Sequence, residues 1–305
     1  VSAREDGETW ASTVSASTGA IANGGALATT RRDTDIAIDL ADARLVGINV
    51  DVTAERDGLL RSQGVAAAGG IASGVGVATD TRDEATVTID LGTARIETLD
   101  AATIRASNAA NVTSLAVGVA IGGGGAVGVS SAVARREGLA QVTGSGAEFR
   151  VGTLSVTTSD AAAMDGEGAS LVDARAISAA GGGLLGGQGA RSNAVNESRS
   201  VIDLTIASLD AAGDVEIDAR TNGAIDTRTD GFVLGFAAAG ANLTEATMSS
   251  TASTRVGLAG SATADGSVFI GATAADTTFG KSVSGQGGAI ALQASKVNLT
   301  MVPTT

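Results

Sequence analysis

The side chains of this chain that could do chemistry are carboxylates, arginines, lysines and hydroxyls, because its 305 residues include no histidine and no cysteine. These absences exclude an imidazole base, a cysteine nucleophile, a disulfide and a thiolate or imidazole metal site. The candidate acid–base or calcium-binding pairs are Asp33 with Asp35, Asp83 with Glu84, and Asp214 with Glu216. None has the spacing of a calcium loop, and we interpret them as solvated charges on turns and strand faces.

Two further patterns have the spacing of known sites. Residues 181–186 fit GxGxxG, and Asp203 lies 17 residues beyond them, but no βαβ series surrounds the glycines, so we interpret them as part of a repeat. Lys281 with Ser282 or Ser284, and Lys296 with Ser295, could form Ser–Lys dyads, but nothing identifies a base or an oxyanion site. We therefore predict no catalytic, cofactor-binding or metal-binding residue and no cofactor.

Composition limits the core and the partners. Glycine occurs 43 times, proline once, and aromatic residues make up 2% of the chain, while 44% of the residues are hydrophobic. A core of this composition must stack small side chains closely. The net charge of −13 and the pI of about 4.4 disfavour binding to nucleic acid or to an anionic membrane.

An internal repeat runs through the whole sequence. Residues 1–7 (VSAREDG) match residues 52–58 (VTAERDG), and the match continues over about 45 positions. An alternating segment recurs at 50–54, 102–106, 154–158, 215–219 and 268–272, with a sixth, out-of-phase copy at 290–294. We therefore predict a single array over 1–305, with units at 1–51, 52–103, 104–155, 156–216, 217–269 and, in part, 270–305. The unit 156–216 holds an insertion of about nine residues, which we place near glycines 181 to 189.

Each unit has three parts. A strand with strictly alternating apolar residues is followed by a Gly/Ala stretch almost free of charge, and then by a second alternating strand, as at 35–40, 85–91 and 200–206. Turn residues occur at 56–58, 144–146, 212–214 and 264–266. The sequence thus predicts two or more strands per unit.

The Gly/Ala stretches have alternative interpretations. Residues 106–134 carry no charge and are long enough to span a bilayer or to form a buried helix. Glycine and alanine insert poorly into membranes, and runs such as 117–122 alternate with period 2 and place β-branched residues beside glycine. We therefore expect strands that approach a neighbouring layer closely, and no membrane insertion.

A few single residues stand out. Trp10 is equivalent to Arg61 in the next unit, so we expect an exposed or capping position. We expect the five phenylalanines to fill the wider parts of the core: Phe149, Phe232, Phe236, Phe269 and Phe279. Four glycan-acceptor patterns, which chance explains, begin at Asn111, Asn196, Asn242 and Asn298.

The repeating cycle resembles a known class of protein. Its apolar strand ends in alanine, a stretch such as residues 118–129 (GVAIGGGGAVGV) follows, and a strand and a turn complete it. This cycle resembles the repetitive stalks of large bacterial secreted adhesins of the filamentous-haemagglutinin-like and autotransporter-like kinds. The resemblance covers essentially the whole chain and brings no functional residues with it. It implies a β-solenoid rod that is secreted, lies at the cell surface or in a biofilm matrix, and serves adhesion.

The expected fold is all-β, a repetitive β-solenoid (β-helix-like) rod of about five units of about 52 residues with Gly/Ala-rich layers. One unit cannot bury its apolar faces alone, whereas stacking gives every strand a partner. Val1 begins in mid-strand at the position of Val52, so we expect the chain to be a slice of a longer fibre. The expected partners are further repeats of the same or identical chains, joined head-to-tail or laterally, and host or bacterial surface glycans.

The expected function is structural: a non-catalytic segment of an extracellular bacterial fibre or adhesin stalk. The alternative is a carbohydrate-binding or polysaccharide-cleaving β-helix, whose site we would place in the inserted unit between Thr157 and Val215. An enzyme should concentrate its charged residues in one groove, whereas a stalk should distribute them evenly. Binding to ice or to a crystal surface would need a regular threonine array, of which residues 86–88 offer only a fragment.

Overall fold

A computed structural model describes residues 1–161 and 172–304, and these residues form β-strands and short turns without any helix. The strands are β1 (Ser2–Asp39), β2 (Arg44–Gly47), β3 (Val50–Asp90), β4 (Arg95–Thr98), β5 (Ala101–Val151), β6 (Thr153–Ala161), β7 (Val172–Gly182), β8 (Leu185–Ala211), β9 (Val215–Asn222), β10 (Ala224–Leu234), β11 (Ala237–Ala264), β12 (Val268–Ala274), β13 (Thr277–Gly287) and β14 (Ile290–Thr304). The all-β prediction is confirmed.

The strands of successive repeats pair in parallel and in register, which confirms the β-solenoid. The first residues of the predicted units share one position in this register: Val52, Ile104, Val156, Ile217 and Ile270. Each unit is therefore one coil. We number the coils 1 to 6, for residues 1–49, 50–100, 101–152, 153–214, 215–267 and 268–304.

Each coil folds back on itself at a glycine-rich corner. The 41 residues of β3 would span about 135 Å if straight, yet Arg56 contacts Asp83 within this strand. The corner lies near Gly70, where the register with β5 shifts. Every coil thus consists of a first layer before the corner and a second layer after it, with the inward side chains of both layers packed between them. We call the row of corners the narrow edge.

The narrow edge requires glycine because backbone segments touch there. A Cβ added to Gly182 would lie 1.9 Å from the carbonyl oxygen of Leu185, and one added to Gly122 would lie 2.0 Å from that of Gly125. Such distances leave no room for a side chain. The Gly/Ala stretches are strands that approach closely, as predicted. Among the described residues there is also no helix that could cross a membrane.

At the end opposite the narrow edge, a short third segment connects the two layers of the coil. We call this end the wide edge. The short strands β2 and β4 form it in coils 1 and 2, and residues 148–150 continue it in coil 3. Large side chains fill the triangular core there, including Ile89, Leu91, Ile96 and Phe149. Toward the narrow edge the layers converge and the core consists of alanine and valine, because only small side chains fit between them.

Three sequence-based assignments are wrong. The predicted turn at 56–58 lies inside β3, and 144–146 lie inside β5, where the register shifts. The segment 290–294 is not a sixth copy of the first-layer strand, because β14 pairs with β11 and forms the second layer of coil 6. The turns at 212–214 and 264–266 do lie at strand ends, as predicted.

The insertion lies elsewhere than predicted. Ala109 pairs with Ala161 and Val112 with Val172, so the extra residues fall between residues 161 and 172. Residues 162–171 lie outside the described residues. The register through residues 181–189 continues without an inserted residue. Glycine richness marks the corner of every coil, and for that reason it did not mark the insertion.

Candidate functional site

The glycines that fit a dinucleotide fingerprint belong to the narrow edge. Residues 181–182 end β7, and β8 begins at Leu185, so a strand follows the glycines instead of a helix. A Cβ on Gly183 would lie 2.2 Å from the carbonyl oxygen of Gly123 in the coil before. These glycines serve backbone packing, and the segment that follows them is a strand without the helix N-terminus that binds a pyrophosphate.

The Ser–Lys pairs do not come together in the described strands. Lys281 and Ser282 are neighbours in β13 and lie on opposite faces, because side chains alternate along a strand. Ser282 accepts a hydrogen bond from Thr229 at 3.0 Å, and Ser284 accepts one from Asn242 at 3.0 Å. Lys296 and Ser295 alternate in the same way in β14. The serines therefore stabilise contacts between coils.

The phenylalanines divide into two groups. Phe149 is buried in the core of the wide edge, as predicted. The prediction is wrong for the four others, which are about half exposed or more: Phe232, Phe236, Phe269 and Phe279. Trp10 is exposed, which agrees with its prediction. Of the glycan-acceptor asparagines, Asn196 and Asn242 are buried and bonded within the core, so the folded chain does not present them to solvent.

Sequence reasoning missed a buried ion ladder between the two layers. Arg56 and Asp83 are completely buried in coil 2, with Arg56 Nη1 donating to Asp83 Oδ2 at 2.9 Å. Arg136 in coil 3 pairs with Asp160 in coil 4, and both side chains are completely buried. Arg32 pairs with Glu5 in coil 1. The interpretation of Asp83 as a solvated charge is therefore wrong.

Hydrogen bonds complete the ladder. Arg56 Nη1 also donates to Asn108 Oδ1 at 3.2 Å, and Arg136 Nη1 donates to Ser198 Oγ at 3.0 Å. The backbone amide of Arg199 donates to Asp160 Oδ2 at 3.0 Å. Burial raises the pKa of Asp160, and the charge of Arg136 opposes that rise. These bonds offset part of the cost of removing the charges from water.

The ladder has a sequence signature that could have been recognised. Arg56 has the same parity as Val52, Ala54 and Leu60, all of which point inward. In an alternating strand this parity assigns Arg56 to the core. The motif Arg-Asp-Gly instead favoured a turn, and the turn interpretation hid the alternation.

Outward charges form rows along the stack. Asp33, Glu84, Glu137 and Glu197 occupy equivalent positions in coils 1 to 4 and line a groove of about 330 Å³. Arginines neutralise parts of this row, with Arg31 Nη2 lying 3.2 Å from Glu84 Oε1. The described residues contain no group of three or more acidic side chains placed to hold a metal ion. The charges recur from coil to coil instead of converging on one site.

The narrow edge carries a row of exposed apolar side chains. Ile21, Ile71, Ile121, Leu184 and Phe236 lie at or beside the corners of coils 1 to 5, and each exposes more than 60% of its surface. The flanking stretches are free of charge in every coil: 9–30, 62–79, 106–134, 176–190, 231–244 and 282–295. Exposed apolar side chains that recur along one edge are typical of a surface that binds another surface.

No family model, curated protein or solved structure matches the chain. Three features of the described residues bear on function: the stack of paired coils, the buried ion ladder and the uncharged apolar row. None of the three brings a nucleophile, a base and an oxyanion site together in the described residues. All three extend along the stack, which is a geometry suited to binding and assembly.

Proposed function

We propose that this chain is a non-catalytic structural repeat segment of an extracellular bacterial fibre or adhesin stalk. In this role it mediates surface attachment, cell–cell contact or the assembly of a biofilm matrix. The observation that carries the proposal is the parallel pairing of equivalent strands in successive coils, from β1 in coil 1 to β14 in coil 6. A stack of this kind grows by about 4.8 Å for each added coil without a change of design.

Three further features support the proposal. In the part of the chain that the structure describes, the strands of coils 1 and 6 pair on one side only, so a further coil can pair with the other side of each. The outward ion pairs recur along the stack, as a stalk requires. The uncharged apolar row gives the stack a lateral surface for other copies or for cell-surface molecules, with glycans among the proposed partners.

Electron microscopy of native material tests the structural part of the proposal. The first layer of coil 2 has 20 residues, from Val50 to Gly69, and therefore spans about 66 Å. We expect flat filaments of about this width with a strand repeat of about 4.8 Å along the axis. Isolated compact particles in material taken from the cell surface would contradict the proposal.

Immunolabelling tests location and role. Antibodies raised against the purified chain should label intact source cells, and cells with the gene deleted serve as the control. The deletion should reduce attachment or biofilm mass, and expression of the gene should restore it. Labelling that requires permeabilised cells, or release of reducing ends from polysaccharides by the purified chain, would overturn the proposal and favour the carbohydrate-active alternative.

A further inference from the structure

The buried ion ladder alternates in sign along the stack. In the first layer, one inward position holds Glu5, Arg56, Asn108 and Asp160 in coils 1 to 4. The facing position in the second layer holds Arg32, Asp83, Arg136 and Asn196. The acidic and basic members thus exchange layers between coil 1 and coil 2, and the arginine returns to the second layer in coil 3.

Because of this exchange, a buried charge can contact a charge of opposite sign both within its own coil and in a neighbouring coil. Arg56 binds Asp83 within coil 2, and its Nε lies 3.8 Å from Glu5 Oε2 in coil 1. Arg136 in coil 3 binds Asp160 in coil 4. Without the exchange of layers, like charges would stack one strand spacing apart inside a core that excludes water, which is costly.

None of the described coils covers the side of coil 1 that faces away from coil 2. The side chains of Glu5 and Arg32 remain 33% and 14% exposed, whereas those of Arg56 and Asp83 are completely buried. The open face of coil 1 therefore presents an acidic group in the first layer and a basic group in the second.

We infer that the open face of coil 1 binds a parallel β-solenoid coil carrying the reversed pair, with a basic residue in its first layer and an acidic residue in its second. This inference rests on the proposed function as a stack of coils and specifies the partner. Coil 6 of an identical chain does not fit, because it places Ala274 and Met301 at the two positions. Neither side chain has a charge or a strong hydrogen-bonding group for Glu5 or Arg32.

The test extends the intact chain by one coil. Val1 is equivalent to Val52, and Val52 to Ile104, so a second copy of residues 52–103 placed before Val1 continues the repeat in phase. This added copy carries the reversed pair, Arg56 and Asp83. A matched extension carries Arg56→Glu and Asp83→Arg in the added copy only, which stacks like charges on coil 1. Hydrogen exchange then measures the protection of those backbone amides of β1 that point away from β3.

The reversed pair should protect these amides relative to the parent chain. The like-charged extension should leave the amides near Glu5 and Arg32 at least about ten-fold less protected, a ratio equivalent to 1.4 kcal/mol. Equal protection by both extensions would overturn the inference about charge while leaving the proposed stacking function intact. Protection by neither extension would overturn both.

Discussion

Arg56 and Asp83 lie 27 residues apart in the chain and form a completely buried ion pair across the two layers of one coil. The pair couples the strand before the glycine corner to the strand after it. Asn108 in the next coil and Glu5 in the coil before lie within reach of the same guanidinium. One arginine thus connects three coils and both layers.

Removal of one member of this pair should destabilise the fold strongly. Asp83→Ala leaves a buried guanidinium without its main partner, and we expect the free energy of unfolding to fall by about 3–5 kcal/mol. The double variant Arg56→Met with Asp83→Leu removes both charges at similar volume and should cost much less. Denaturant unfolding measures both values.

The control for the ion pair is Glu84→Gln on the outward face. Glu84 pairs with Arg31 in a partly exposed position, and its loss should cost less than about 1 kcal/mol. If the single and double variants of the buried pair were equally unstable, the loss would come from packing and not from an unpaired charge.

The effect of a Gly→Ala substitution on stability should depend on the position of the glycine at the corner. Gly182→Ala places a Cβ against the Leu185 carbonyl oxygen, and we expect a loss of about 1–3 kcal/mol. The neighbouring Gly181 has open space around its Cβ position, so Gly181→Ala should change stability by less than about 0.5 kcal/mol. Thermal unfolding compares the two variants directly, and equal losses would contradict the corner geometry.

Replacement of a buried phenylalanine should lower the free energy of unfolding much more than replacement of an exposed one. Phe149→Ala opens a cavity in the wide-edge core and should cost about 3–5 kcal/mol. Phe236→Ala removes a side chain that is 61% exposed at the narrow edge, so it should have little effect on folding. Chemical denaturation of both variants checks this order, and a larger loss for Phe236→Ala would refute it.

Asp173 should give stability a defined pH dependence. Burial raises the pKa of Asp173, and the charge of Arg175, whose Nε lies 3.0 Å from Oδ1, opposes the rise. The folded chain therefore retains a proton between the unfolded pKa of about 3.9 and the higher folded value. Over this window the contribution of Asp173 to the free energy of unfolding decreases as the pH rises.

The measurement is the slope of unfolding free energy against pH for the parent chain and for Asp173→Asn. In this window the free energy of unfolding of the parent chain should fall more steeply with rising pH than that of Asp173→Asn, because the variant lacks the group that holds the proton. Asp210→Asn is the matched control, since it removes a carboxylate from the exposed surface. Identical slopes for the parent chain and Asp173→Asn would contradict the assignment.

The alternation of inward and outward positions along each strand predicts most of the core residues. The same alternation applies to Arg56, whose burial the sequence analysis missed. Inward and outward positions alternate from Val52 onward, so the apolar residues of the core could be assigned from the strand pattern alone. The same pattern places Arg56 inside, but a buried charge is recognised only once its partner is known. That partner, Asp83, reaches it only because the chain reverses near Gly70.

The sequence by itself determined the repeat, its register and the strand character of the Gly/Ala stretches, because the register follows from matched residues about 52 positions apart and each strand's faces follow from period-2 alternation. Only the tertiary structure decided where each coil reverses, and therefore which residues of its two layers meet. It also decided that the space between the layers is wide enough for Phe149 at the wide edge and admits only alanine and valine toward the narrow edge. Such contacts join residues far apart in sequence, and no local pattern encodes them.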